Sequence, residues 1–381
     1  MHASYACGNT GRCCSAGWPI PVEAHVLPVL KTAIADGTVR EVDGSAPLVF
    51  PAERPEWAGA VLGHAASGAC VFFDPQQPGG HCRVQRHAGT PAMPVACRQF
   101  PRIARHDATG TAVTLSHWCP TAVTLLDAEQ PVTVVEAPVA FSDAPAYEGL
   151  DARDAWPPLL RPDCLFDLEA YACFEACGVQ LLTHPGDSLM ARLTRLSNWV
   201  EQVRRWRPGS GDLEPWIRSA ADAALHQDVD AEALREANDR RAAWAHLWRD
   251  VLDAIPPTLL LHVPERLRAS SAGETPGADE AEGDPRLGRY LAARLFGSWV
   301  AYQGTGVRSV LASVHAAAAV LQRALRAGET ATADTRVREA IRTADLLLVH
   351  LARPEVLARH YNKWELRPPA FIVNAGHAGQ A

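Results

Sequence analysis

From residue 161 onward the apolar positions return every three or four residues. Leu189, Leu193, Leu196, Val200, Val203 and Trp206 fall on one face of a helix. Pro185, Gly186, Asp187 and Ser188 ahead of them supply a stop and an N-terminal cap. Residues 234–255 repeat the pattern through Trp244, Leu247, Trp248, Val251 and Leu252, and residues 307–325 and 337–351 do so again. This periodicity predicts a helical domain over residues 161–381. Residues 1–130 lack it. Their apolar runs, at 46–50, 69–73 and 111–116, are short and predict brief strands or extended pieces. Pro91, Pro94 and Pro101 forbid a continuous helix through Cys97. Residues 131–160 hold five prolines and read as a connector. A segment of 130 residues with so little regular structure needs a staple. The expected fold class is therefore mainly α, with a loop-rich, metal-stabilised N-terminal cysteine domain.

Composition narrows the function classes. The chain has 381 residues, 48% hydrophobic and 21% charged, the balance of a globular protein. No apolar run reaches the roughly 18 residues of a membrane span, so no membrane partner is expected. The net charge is −7, and residues 1–130 carry 9 basic and 10 acidic side chains. Neither part is basic enough to bind nucleic acid by charge. Five acids and no base fall in residues 269–285, a composition that predicts a disordered loop. The opening MHASYACGNTGRCC has neither a basic nor an apolar leader region. The expected compartment is the cytoplasm.

Cysteine carries the chemical signal. Of ten cysteines, seven lie in the first 119 residues and none follows Cys177. In a reducing compartment such clusters read as metal ligands rather than disulfides. The candidate ligands are Cys7, Cys13, Cys14, Cys70, Cys82, Cys97 and Cys119. Gly8, Asn9 and Gly11 permit the turn that folds Cys7 back towards Cys13. Adjacent Cys13 and Cys14 point to opposite faces of an extended chain, so both can ligate one centre only if the backbone turns between them. A cubic iron–sulfur cluster or a tetrahedral zinc needs four ligands. His64, His81, His87 and His117 could substitute in a mixed zinc site, and a surface or supporting role is the simpler reading for them. Arg83, Arg86, Arg98, Arg102 and Arg105 crowd the same region. They would offset thiolate charge, or hold a carboxylate or phosphate of a cofactor, with Arg98 and Arg102 the candidates, unless they form an ordinary solvated face. Cys173 and Cys177, four apart on a helical pattern, read as core, as does Cys164. The tryptophans at 199, 206, 244, 248 and 299 do likewise.

In order along the chain stand YACGNTGRCCSAGW, Cys70-Val71-Phe72-Phe73, GGHCRVQ, ACRQFPR and SHWCPTAVTLL. This series resembles the zinc- or iron-chelating cysteine-cluster family, and its layout is similar to that of flagellin lysine-N-methylases. Trp18 after the Cys pair, Pro101-Arg102 after Cys97 and Pro120 after Cys119 match that pattern. The likeness covers residues 4–126. It departs at Gly8–Arg12, where the family has a further cysteine. The resemblance implies an iron–sulfur cluster or, in its place, zinc. For the methylase branch it also implies S-adenosylmethionine and a protein lysine substrate, flagellin-like or other. The competing expectation is a non-enzymatic zinc- or iron-binding module for metal handling or partner binding.

Overall fold

A computed structural model describes residues 4–8, 10–52, 54–76, 81–136, 146–228, 237–269, 283–328 and 332–374. The expected acidic loop lies outside them over residues 270–282. Asp284 is inside, and its carboxylate caps the helix Pro285–Leu295 by accepting from the Arg286 backbone N–H at 2.9 Å.

The fold is mainly helical. At its centre runs the helix Val307–Ala327, buried at most positions because neighbouring helices surround it, with Ala316–Ala319 admitting close neighbours. The helices Leu189–Arg204, Ala237–Ala254, Pro285–Leu295 and Ala333–Asp345 pack on it. The expected cap is present: Ser188 Oγ accepts from the Ala191 backbone N–H at 3.1 Å, after Gly186 at φ +82°. Asp167 caps Leu168–Leu182 in the same way. No helix among the described residues is long and apolar enough to cross a membrane.

The N-terminal part is built of short pieces. Pro21–Glu23 and Leu48–Val49 flank Ala58–Leu62 in an antiparallel sheet, with Val22 opposite Ala60 and Leu48 opposite Leu62. Phe73–Asp74 pairs with His81–Cys82. Arg102–Asp107 and Gly110–Leu115 form a hairpin, and Gly149–Asp151 adds a parallel strand to it. Between Pro94 and Pro101 the chain manages only the short helix Val95–Gln99.

This part is joined to the helices by buried polar contacts. The Arg105 guanidinium grips the Glu175 carboxylate at 2.7 and 3.0 Å, with both side chains 4% exposed. Trp299 Nε1 donates to the Ala104 carbonyl at 3.0 Å. Ser116 Oγ donates to Asp345 Oδ2 at 2.6 Å.

Candidate metal centre

The seven N-terminal cysteines come from five separate stretches, and all seven line one cavity of about 790 Å³. Cys70 and Cys119 are buried, Cys13, Cys14, Cys82 and Cys97 half-buried, and Cys7 exposed. Cys164, Cys173 and Cys177 are not on this cavity; all three belong to the helical core, with Cys173 and Cys177 Sγ 3.9 Å apart.

Local structure aims the sulfurs. Gly11 sits at φ +67°, and its carbonyl accepts from the backbone N–H of Cys14 and Ser15 at 3.1 and 3.0 Å. The backbone thus turns at the Cys pair, and the sulfurs of Cys13 and Cys14 approach to 3.9 Å instead of pointing apart. The Cys70 N–H donates to the Cys14 carbonyl at 2.7 Å, fixing the two blocks together. Cys82 and Cys119 each precede a short helix, and the backbone N–H groups of Val84 and Gln85, and of Thr121 and Ala122, point at their sulfurs.

The thiols feel one another. Burial pushes Cys70 up to about 11, and Cys82 and Cys13 add to it by repulsion. Cys97 is raised well above the ordinary thiol range by burial, then by Cys82, Cys70 and Cys13. Burial also raises Cys82 and Cys119. Cys13 is lowered to about 7 by the hydrogen bond from Cys14. Soft donors packed this closely ionise together only when a cation offsets their charge.

Among the described residues no three His, Cys, Asp or Glu side chains converge closely enough to hold a single ion. Tetrahedral zinc sets its sulfurs about 3.8 Å from one another, a spacing that the Cys13–Cys14 pair meets. The other thiols are spread around the cavity wall. Ligands of a polynuclear cluster bind different metal atoms on the outside of its core and stand farther apart. The donor type, soft thiolate, is one that both zinc and iron–sulfur clusters take.

Arg98 and Arg102 line the cavity together with Arg12. Arg102 lies over the rings of Tyr5 and Tyr147, at 5.2 and 5.6 Å, and the Tyr5 hydroxyl is 3.8 Å from Cys119 Sγ. Arg83 is instead paired with Asp74, and Arg105 with Glu175 and Asp107. His64, His81, His87 and His117 do not line the cavity. His64 contacts the Trp18 carbonyl, and His117 is buried edge-on to Tyr290.

Two cavity histidines were not legible in the sequence, His262 and His350. His350 ends the apolar run LLLVH. That run winds as a π-helix, Leu346–Leu351, whose wide turn is a frequent mark of functional positions. Beside His350 stand Trp18 and Phe100, and Trp118 packs on Trp18. Of these, Trp18 was singled out in the sequence only through the family resemblance. Comparison with family models, with curated proteins and with solved structures finds no match to this chain.

Proposed function

We propose that the seven-thiol cavity binds an iron–sulfur cluster and that the protein is a cluster-dependent enzyme of the flagellin lysine-N-methylase type. The observation that carries this reading is that Cys7, Cys13, Cys14, Cys70, Cys82, Cys97 and Cys119 all line one cavity of about 790 Å³. Ten cysteines are available and the three of the helical core stay out of it. Four of the seven thiolates would hold the cluster, with backbone N–H groups at Cys82 and Cys119 and the guanidinium of Arg102 offsetting its charge. The cavity is of small-molecule size, so a cluster leaves room for a second ligand. A bound cluster supplies electron-transfer or Lewis-acid chemistry.

The resemblance of the motif series to flagellin lysine-N-methylases implies methyl transfer from S-adenosylmethionine to a protein lysine. In that reaction the amine lone pair forms a bond to the methyl carbon, the carbon–sulfur bond breaks with its electrons passing to sulfur, and the nitrogen loses a proton. The residues' share is to orient the amine and keep water out. Arg98 and Arg102 are the candidates for the methyl donor's carboxylate. A second reading, a zinc-binding module without catalysis, is favoured by the 3.9 Å Cys13–Cys14 pair, which has single-ion spacing.

The test is the metal content and colour of anaerobically purified protein. The proposal expects a brown protein with iron and acid-labile sulfide in equal amounts. A colourless protein with stoichiometric zinc would establish the module instead, and a metal-free one would overturn both.

A further inference from the structure

One end of the cavity is aromatic and carries a hydrogen-bond array. The His350 ring lies 4.7 Å from that of Trp18 at 31°, and 6.0 Å from that of Phe100. Trp18 packs on Phe100 and Trp118 with centroids 6.1 and 6.0 Å apart. Ser116 is 1% exposed and stands between His350 and the fully buried Asp345. Its hydroxyl donates to Asp345 Oδ2 at 2.6 Å, and Oδ2 also accepts from the Trp118 backbone N–H at 3.1 Å. With its only proton committed, Ser116 Oγ accepts from His350 Nε2–H at 2.7 Å. With Asp345 ionised, this relay assigns His350 the Nε2–H tautomer. His350 Nδ1 is an acceptor, makes no hydrogen bond among the described residues, and belongs to a side chain 19% exposed on the cavity wall. Burial and Arg294 push His350 down to about 3, so the ring stays neutral and the acceptor stays available.

We infer that this aromatic end receives an alkyl amine, whose ammonium donates to Nδ1 of His350 and lies against the rings of Trp18 and Phe100. Among the described residues no aspartate or glutamate lines the cavity, so an ammonium there would be recognised by ring faces and a neutral acceptor rather than by an ion pair. Of the cavity's guanidiniums, Arg102 stacks on Tyr5, whose hydroxyl is 3.8 Å from Cys119 Sγ. The aromatic cluster already holds one cation, because the Arg342 guanidinium lies 4.6 Å over Trp118. Ser116 and Asp345 are positioning residues, fixing the imidazole as a carboxylate fixes a histidine ligand. Ser116 itself is too buried to meet a substrate.

This rests on the proposed reaction for its meaning and extends it, by naming where the amine sits. The experiment is calorimetric titration of the full-length protein, as purified, with n-butylammonium, n-butanol and tetramethylammonium, with iron counted in the same sample. n-Butylammonium is expected to bind about tenfold more tightly than n-butanol, and more tightly than tetramethylammonium, which has no N–H to donate. His350→Phe keeps an aromatic ring and should abolish the preference over n-butanol, and Ser116→Ala should reduce it. Equal affinity for n-butylammonium and n-butanol, tetramethylammonium binding as well as n-butylammonium, or an unchanged preference in a folded His350→Phe protein overturns the inference. If His350→Phe does not fold, the three probes on the unmodified protein decide. Iron-loaded protein that ignores n-butylammonium refutes this inference alone; iron-free protein that binds it selectively refutes the cluster reading alone.

Discussion

A Cβ built on Gly11 would lie 2.3 Å from the Phe73 ring, and the residue sits at φ +67°. Gly11→Ala therefore meets both a backbone penalty and a clash in the turn that brings Cys13 to Cys14. It should cost about 1–3 kcal/mol and lower the metal content, read by urea denaturation and metal analysis. Wild-type metal content in this variant would mean that the turn does not shape the site. The turn was legible in the sequence because glycine and asparagine between cysteines have few other uses. That the turn would reverse the opposed directions of Cys13 and Cys14 was not, since it depends on which φ region Gly11 adopts. His350 was invisible for a different reason. A single histidine at the end of an apolar run looks like a helix terminus, and only the fold brings residue 350 beside residues 18 and 100.

At the scale of elements, the helices were readable from periodicity and caps, as Leu189–Arg204 after Ser188 shows. The π-helical turn at Leu346–Leu351 was not, because its i to i+5 pattern has no composition of its own. The central helix Val307–Ala327 hides a polar array. Trp244 Nε1 donates to His315 Nδ1 at 3.1 Å, so Nε2 bears the proton and donates to Ser197 Oγ at 3.1 Å. Burial holds His315 well below its ordinary 6.5. Above that value the group is neutral folded or unfolded and does not affect the balance. As pH falls below it, the unfolded chain takes up a proton that the folded one refuses. Stability should then fall by about 1.4 kcal/mol per pH unit for this residue, with His350 adding a second proton's worth. Urea midpoints from pH 7.5 to 4.5 would show the decline, and His315→Asn should make it shallower by about one proton. An unaltered slope would contradict the assignment of a buried neutral ring.

For the whole molecule, the cysteine part and the helices share buried polar contacts and should unfold as one unit. Glu175 accepts both Arg105 nitrogens and the Gly297 backbone N–H at 2.8 Å. Glu175→Ala leaves the Arg105 charge buried with Asp107 as its remaining carboxylate partner among the described residues. A loss of about 3–5 kcal/mol is expected, with a single denaturation transition; a loss well under 1 kcal/mol would show the two parts to be independent. The sequence suggested a cysteine-rich part and a helical part but not this bond, because Arg105 read as one of several basic residues near the cysteines. The central claim is that the cavity thiols, and not the core thiols, hold the metal. It is tested most directly by iron, zinc and sulfide per chain in four variants of the full-length protein purified under argon. Cys97→Ser and Cys119→Ser replace a soft thiolate by a neutral hydroxyl and should strip or weaken the metal. Cys173→Ala and Cys177→Ala should cost about 1 kcal/mol of stability and keep full metal content. Loss of metal from the Cys173 or Cys177 variants, with retention in those of Cys97 and Cys119, would contradict the account and move the centre into the helical core.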